Sequence, residues 1–132
     1  MEKIPILRMG PFLLVTIQVD LYDRLAENLE ADLIQMVSKT GAMGVLIDIS
    51  AVSIIDSFMG RIIGNIASMS KIMDAETVVV GMQPAVAITL IELGLPLKGV
   101  HCALNVERGM ELLRSKIALT EGDPDDDYSD AE

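Results

Sequence analysis

The sequence predicts a single-domain α/β fold: a mixed sheet of about five strands with about four helices packed on it, in the order ββαβαβαβα. Three observations carry this. The short apolar runs GVLIDI (44–49) and TVVVGM (77–82) have the length and branching of strands buried on both faces. The segments between them are longer and carry apolar residues at spacings of three and four, the pattern of helices with one buried face. Half of the 132 residues are hydrophobic but only 3% are aromatic, with no Trp, so the core is built from Ile, Leu, Val, Met and Ala. That supply suits helices layered on a sheet.

Each element follows in order. Residues 4–9 and 12–19 read as two strands joined at Gly10-Pro11, a turn pair. Over residues 22–39, Tyr22, Leu25, Ala26, Leu29, Leu33, Met36 and Val37 form a helical stripe, and Gly41 follows as its C-terminal cap. The strand 44–49 comes next. Met59, Ile62, Ile63, Ile66, Met69 and Met73 then define a second amphipathic helix over 57–73, with Arg61, Asn65, Ser68 and Lys71 on its polar side. The strand 77–82 leads to Gln83-Pro84, where proline opens a third helix that Gly94 closes. GVHCAL (99–104) gives a weaker fifth strand, and Asn105 caps a final helix reaching about Ser115. Strands separated by helices require parallel crossovers. There is no internal repeat and no second domain.

Composition excludes several functions. One cysteine, Cys102, allows no intramolecular disulfide, and with a single histidine, His101, it makes no Cys/His metal site. No apolar run approaches the ~20 residues of a membrane span. The start MEKIPIL has no charged-then-apolar leader, so a soluble, cytoplasmic protein is expected. The net charge is −10, yet seven of the acids lie in TEGDPDDDYSDAE, which leaves −3 for residues 1–119. We divide the chain into a folded domain, 1–116, and an acidic tail, 117–132, whose composition is that of a solvated, disordered segment. With no basic patch to meet phosphates, nucleic acid is not expected as a partner.

The informative joint is SIIDSFMGRIIG (53–64), which sets Asp56 and Ser57 between a loop and a helix. The plain reading is capping: Ser or Asp before a helix accepts a hydrogen bond from a first-turn N–H, worth about 1 kcal/mol. One residue suffices for that. If Asp56 is the cap, Ser57 becomes the first helical residue with its hydroxyl free. A phosphate on it would face unpaired N–H donors and the positive end of the helix dipole. It would also bring roughly −1.5 to −2 charges to a small surface.

At these residues the chain resembles a known family. GVLIDISAVSIIDSFMGRIIGNI is similar to the signature of the STAS domain, named for sulphate transporters and anti-sigma factor antagonists. There, a buried strand ending in an acid-hydrophobic-Ser step leads through a hydrophobic loop to Asp-Ser or Asp-Thr at a helix start. The element order agrees, and the resemblance covers about residues 4–115. Within the family, the Asp-Ser-Phe-Met continuation is most similar to the RsbS-like group of small stressosome antagonists.

The resemblance implies a non-enzymatic phospho-switch without cofactor. The serine after the aspartate, here Ser57, would be phosphorylated by a partner switch kinase of the RsbT type and restored by a phosphatase. The unmodified chain would self-associate with STAS-domain sensor paralogues of the RsbR type in a scaffold that holds the kinase captive. Phosphorylation would release the kinase to a downstream stress or sigma-factor pathway. By a weaker match, Thr89 in PAVAITLIELG corresponds to a second phosphorylated position in the sensors; its plain reading is a half-buried helix residue. The expected partner surface is Asp56, Ser57, Phe58, Met59 and Arg61, with Phe58 as exposed apolar anchor. The acidic tail departs from the family pattern.

A nucleophilic Ser57 would need a base, His101 sits in a strand-like run, and DSFMG is not a hydrolase elbow. Gly60 and Gly64 have GxxxG spacing but belong to no nucleotide-binding motif, so they are expected to let another element or protomer approach the helix. Asp125-Asp126-Asp127 is solvated charge, with nothing to arrange it as a Ca²⁺ loop. Two alternatives to the switch remain at this point: an anti-sigma factor antagonist that binds a sigma-sequestering kinase directly, and a purely structural scaffold subunit.

Overall fold

Branched aliphatic residues dominate the strand segments, and they form one five-stranded sheet in the order β1-β2-β3-β4-β5. The computed structural model describes residues 3–18, 22–95 and 97–121, with the side chains of 119–121 excepted. The strands are β1 (Ile6–Met9), β2 (Phe12–Thr16), β3 (Gly44–Asp48), β4 (Glu76–Val80) and β5 (Val100–Ala103). The helices are α1 (Asp23–Thr40), α2 (Ser57–Ile72), α3 (Pro84–Glu92) and α4 (Val106–Glu121). β1 pairs antiparallel with β2 through the Gly10 turn, and all later neighbours are parallel. The expected order and mixed sheet are therefore found.

The strands are shorter than their apolar runs. β2 ends at Thr16 rather than at residue 19, although Ile17 N–H still bonds the Asp48 carbonyl at 3.0 Å; residues 19–21 lie outside the described residues. Apolar sequence continues past the ladder because the loop residues Ile17 and Ile49 are themselves core, at 1% and 0% exposure. The last helix errs the other way. It runs to Glu121, not Ser115, so residues 117–121, counted above with the acidic tail, are helical. No Gly or Pro breaks the chain between Ser115 and Glu121, and Ile117 packs against the core, which carries the helix onward. Residues 122–132 of that tail lie outside the described residues.

Strand order decides where the helices go. When parallel strands follow one another across a sheet with crossovers of one hand, every crossover helix falls on the same face. Accordingly α1, α2 and α3 share the larger core, in which Leu25, Leu29 and Leu33, Ile62, Ile63 and Ile66, and Val86 and Leu90 pack on Leu13, Val15, Val45, Ile47 and Val79. α4, which follows the last strand, covers the other face, where Leu113 meets Phe12, Leu46, Val78 and Val80. Full burial of each such side chain stabilises the fold by roughly 1.5–3 kcal/mol.

α4 sits close to the sheet because two glycines admit it. A Cβ on Gly109 would lie 2.6 Å from a Leu46 methyl and 2.7 Å from a Val80 methyl. One on Gly44 would lie 2.8 Å from both Leu113 methyls. Helix ends behave as the sequence indicates: Gly41 closes α1 in the left-handed region at φ 68°, and Asn105 Oδ1 accepts from Arg108 N–H at 2.9 Å.

Candidate functional site: the β3–α2 joint

The joint is built from both ends. At its start, Asp48 Oδ1 accepts hydrogen bonds from Ser50 N–H at 2.9 Å and from Ser50 Oγ at 2.7 Å, a local turn typical of Asp two residues before its donor. Gln83, just ahead of α3, donates its side-chain amide to the Ser50 carbonyl at 2.9 Å. Val52 and Ile55 are buried at 8% and 5%, pinning the loop to the large core. Between them Ser53 is exposed and Ile54 protrudes at 83% exposure.

At the far end the capping question has a definite answer. Asp56 holds the extended backbone of an N-cap (φ −120°, ψ 177°), and its Oδ1 accepts from Met59 N–H at 2.9 Å. Ser57 is the first helical residue, half-buried, and its hydroxyl bonds to no described residue. The Asp56 carbonyl already takes Gly60 N–H at 3.1 Å, the first bond of the helix. Met59 and Gly60 N–H are thus occupied. Those of Ser57 and Phe58 bond to no described residue and stand at the positive end of the helix. Arg61 is exposed one turn further on, in i,i+4 relation to Ser57, within reach of a charge on that hydroxyl.

Two members of the expected surface are corrected. Met59 is 7% exposed and belongs to the core, because position N3 of α2 turns inward with Ile62, Ile63 and Ile66. Phe58 is half-buried and packs against the same core rather than standing free. The exposed apolar residue of the site is Ile54. Nothing in the sequence singles it out, because Val52, Ile54 and Ile55 look alike until burial separates them. The Asp48–Ser50 turn does have a signal, the Asp-x-Ser spacing, whereas Gln83 is 33 residues from its partner and has none.

The other singled-out residues lie elsewhere. Thr89 is in mid-α3, half-buried, and its Oγ1 donates to the Ala85 carbonyl at 2.9 Å, so its hydroxyl serves its own helix. Gly60 is approached by another element, as expected: a Cβ there would meet Leu95 at 3.0 Å and Leu90 at 3.2 Å. Gly64 faces open space and, with Arg61, Asn65, Leu97 and Lys98, lines a surface groove of about 240 Å³.

His101 gives Ser57 no base. Its Nε2 lies 3.2 Å from Glu76 Oε1, at the first residue of β4, whereas Ser57 follows the opposite, carboxyl end of β3. Glu76 Oε2 also accepts from Lys71 Nζ at 2.6 Å. The Lys71 bond outweighs partial burial and, with His101, holds the Glu76 carboxyl below its usual range. Burial pushes the Cys102 thiol up, away from reactive thiolate. Among the described residues, no three His, Cys, Asp or Glu side chains are grouped to hold a metal ion, and no helix is long and apolar enough to cross a membrane.

The comparisons bear on family and fold. The STAS domain model matches residues 3–108. The chain belongs to the STAS domain family. Among solved structures, this STAS chain is similar to a serine-to-glutamate variant of RsbS from Moorella thermoacetica, at 32% identity and a TM-score of 0.77, over 86% of this chain and 97% of that one. It is similar to a chain in a structure of the stressosome, described as a signal integration and transduction hub, at 34% identity and a TM-score of 0.76, over 86% and 98%. The anti-sigma factor antagonist SpoIIAA, solved in its unphosphorylated form, shares the STAS fold at a TM-score of 0.69 and 12% identity, over 85% and 96%. No curated protein sequence matches the chain at a significant level.

Proposed function

We propose that this chain is a non-enzymatic antagonist of the stressosome type, whose Ser57 surface holds a serine/threonine switch kinase until phosphorylation of Ser57 releases it. The observation that carries the reading is the division of labour at the joint. Asp56 caps α2, so the Ser57 hydroxyl is structurally dispensable, and the loop that delivers it also carries the protruding Ile54 three residues earlier. The contact surface is then Ile54, Asp56, Ser57, the exposed edge of Phe58 and Arg61. Sensor STAS paralogues would complete the scaffold, and a phosphatase would reset the switch. The likeness to RsbS and to a stressosome chain above 30% identity supports the assignment over the direct anti-sigma alternative, whose representative shares only the fold.

The same phosphate acts differently on fold and on interface. Within the free chain it meets two open N–H groups and Arg61, so α2 keeps its start. Against a docked partner it becomes a desolvated dianion, and an unpaired buried charge costs several kcal/mol. Competition binding with an RsbT-type kinase of the same genome tests this: Ser57→Asp should bind on the order of 100-fold more weakly than wild type. Equal binding would remove charge at Ser57 as the switch.

A structural scaffold role has its own support. Ile88 and Ile91, one turn apart on α3, are 56% and 79% exposed, apolar area of the kind that self-association covers.

A further inference from the structure

The Ser50 position is fixed from three directions, and only one of them is local. Asp48, at the end of β3, takes both the N–H and the hydroxyl of Ser50. Gln83, entering α3, donates its side-chain N–H to the Ser50 carbonyl at 2.9 Å. Just past the end of β4, Gly81 lies so close that a Cβ on it would be 2.7 Å from Ser50 Cβ, in a backbone (φ 74°) that favours glycine. Ser50 therefore has both backbone polar groups and its side chain engaged, although it is an exposed loop residue. Exposed loops seldom need this. Six residues later the same loop delivers Asp56 and Ser57, with Ile54 at its tip.

We propose that Gln83 is a positioning residue for the Ser57 site: its side-chain amide clasps the Ser50–Asp56 loop to the start of α3, so that Ile54 and Ser57 are presented to the kinase already arranged. This inference rests on the reading that the Ser57 surface binds a switch kinase. The physical advantage is preorganisation. A loop fixed before docking does not lose that freedom on binding, and the cost of ordering it is absent from the measured affinity. Asp48 can hold the turn by itself only within β3 and its own loop. Gln83 ties the loop to a separate element, so whatever displaces the start of α3 also displaces the Ser57 surface.

Gln83→Glu is the informative variant, since it keeps the shape, removes the N–H donor and sets an acceptor against the Ser50 carbonyl. Gln83→Met, which keeps length and removes all hydrogen bonding, guards against an effect of charge alone. Two readouts are needed on the full chain. Amide hydrogen exchange at Ser50 and Val52, whose N–H groups bond Asp48 and Ile49, should accelerate by up to about tenfold in both variants, the effect of one net hydrogen bond, while exchange in α1 stays unchanged. Affinity for the RsbT-type kinase should fall by a similar factor, with Ser57 still phosphorylated once saturating kinase is supplied. Unchanged exchange in both variants overturns the clasp. Faster exchange with unchanged kinase affinity overturns the positioning role while leaving the Ser57 reading standing. A wild-type chain that does not bind the kinase overturns both, and is distinguished because the variants are then compared with no binding at all.

Discussion

At the level of single residues, Asp56 and Ser57 look equivalent as caps in the sequence and are not equivalent in the molecule. Asp56→Ala removes the bond to Met59 N–H and should lower unfolding stability by about 1 kcal/mol, read from denaturant melts. Ser57→Ala removes a hydroxyl bonded to no described residue and should stay within about 0.5 kcal/mol of wild type. A reversed pattern would mean that Ser57 is the structural residue. The carboxyl of Glu76 gives a pH signature. Because its folded pKa lies below the ordinary value, it contributes stability that is full above the ordinary glutamate range and is lost as pH falls through the lower folded value. Glu76→Gln should therefore flatten the acid limb of a stability-versus-pH curve below about pH 4 and change it little between pH 6 and 8. The capping logic was legible because it depends on neighbours in the chain. The inward turn of Met59 and the exposure of Ile54 were not, since both depend on which side of α2 and of the loop meets the sheet.

Whole elements were read more securely than their ends. Five strands and four helices follow from apolar periodicity, which reports burial, and burial is what the core selects. Ends are set by hydrogen bonding and by packing partners distant in sequence. Thus β2 stops at Thr16 while its apolar sequence continues into Ile17, and α4 continues to Glu121 because Ile117 finds the sheet. The small residues on α4 and β3 are likewise explained only by the element they admit. Gly109→Ala would drive a methyl into Leu46 and Val80, and should destabilise the fold by about 1–3 kcal/mol, or shift α4 outward, as seen by thermal melts and by faster exchange on that face. In the β3–α2 loop, Ile54→Ser should leave stability within about 0.5 kcal/mol, since the side chain is 83% exposed, yet weaken kinase binding by at least about tenfold if it is an interface anchor.

Across the whole molecule, the monotonic strand order matters as much as any motif. Open α/β sheets bind small ligands where the strand order reverses and helices diverge to opposite faces. Here the three crossover helices share one face, so among the described residues the sheet has no point at which crossover helices diverge. The placement of the helices depends on the order ββαβαβαβα together with the strand arrangement, and only the former is visible in the sequence.

In the proposed switch, one hydroxyl that the fold does not need decides whether a kinase stays bound. The switch is tested most directly by loading the RsbT-type kinase onto the unmodified chain, adding ATP, and following intact mass with site mapping alongside kinase release. The account predicts the gain of a single phosphate that maps to Ser57, release that keeps pace with it, and neither event in Ser57→Ala. Release from a chain left unmodified at Ser57, or full phosphorylation of Ser57 with the kinase still bound, would contradict it.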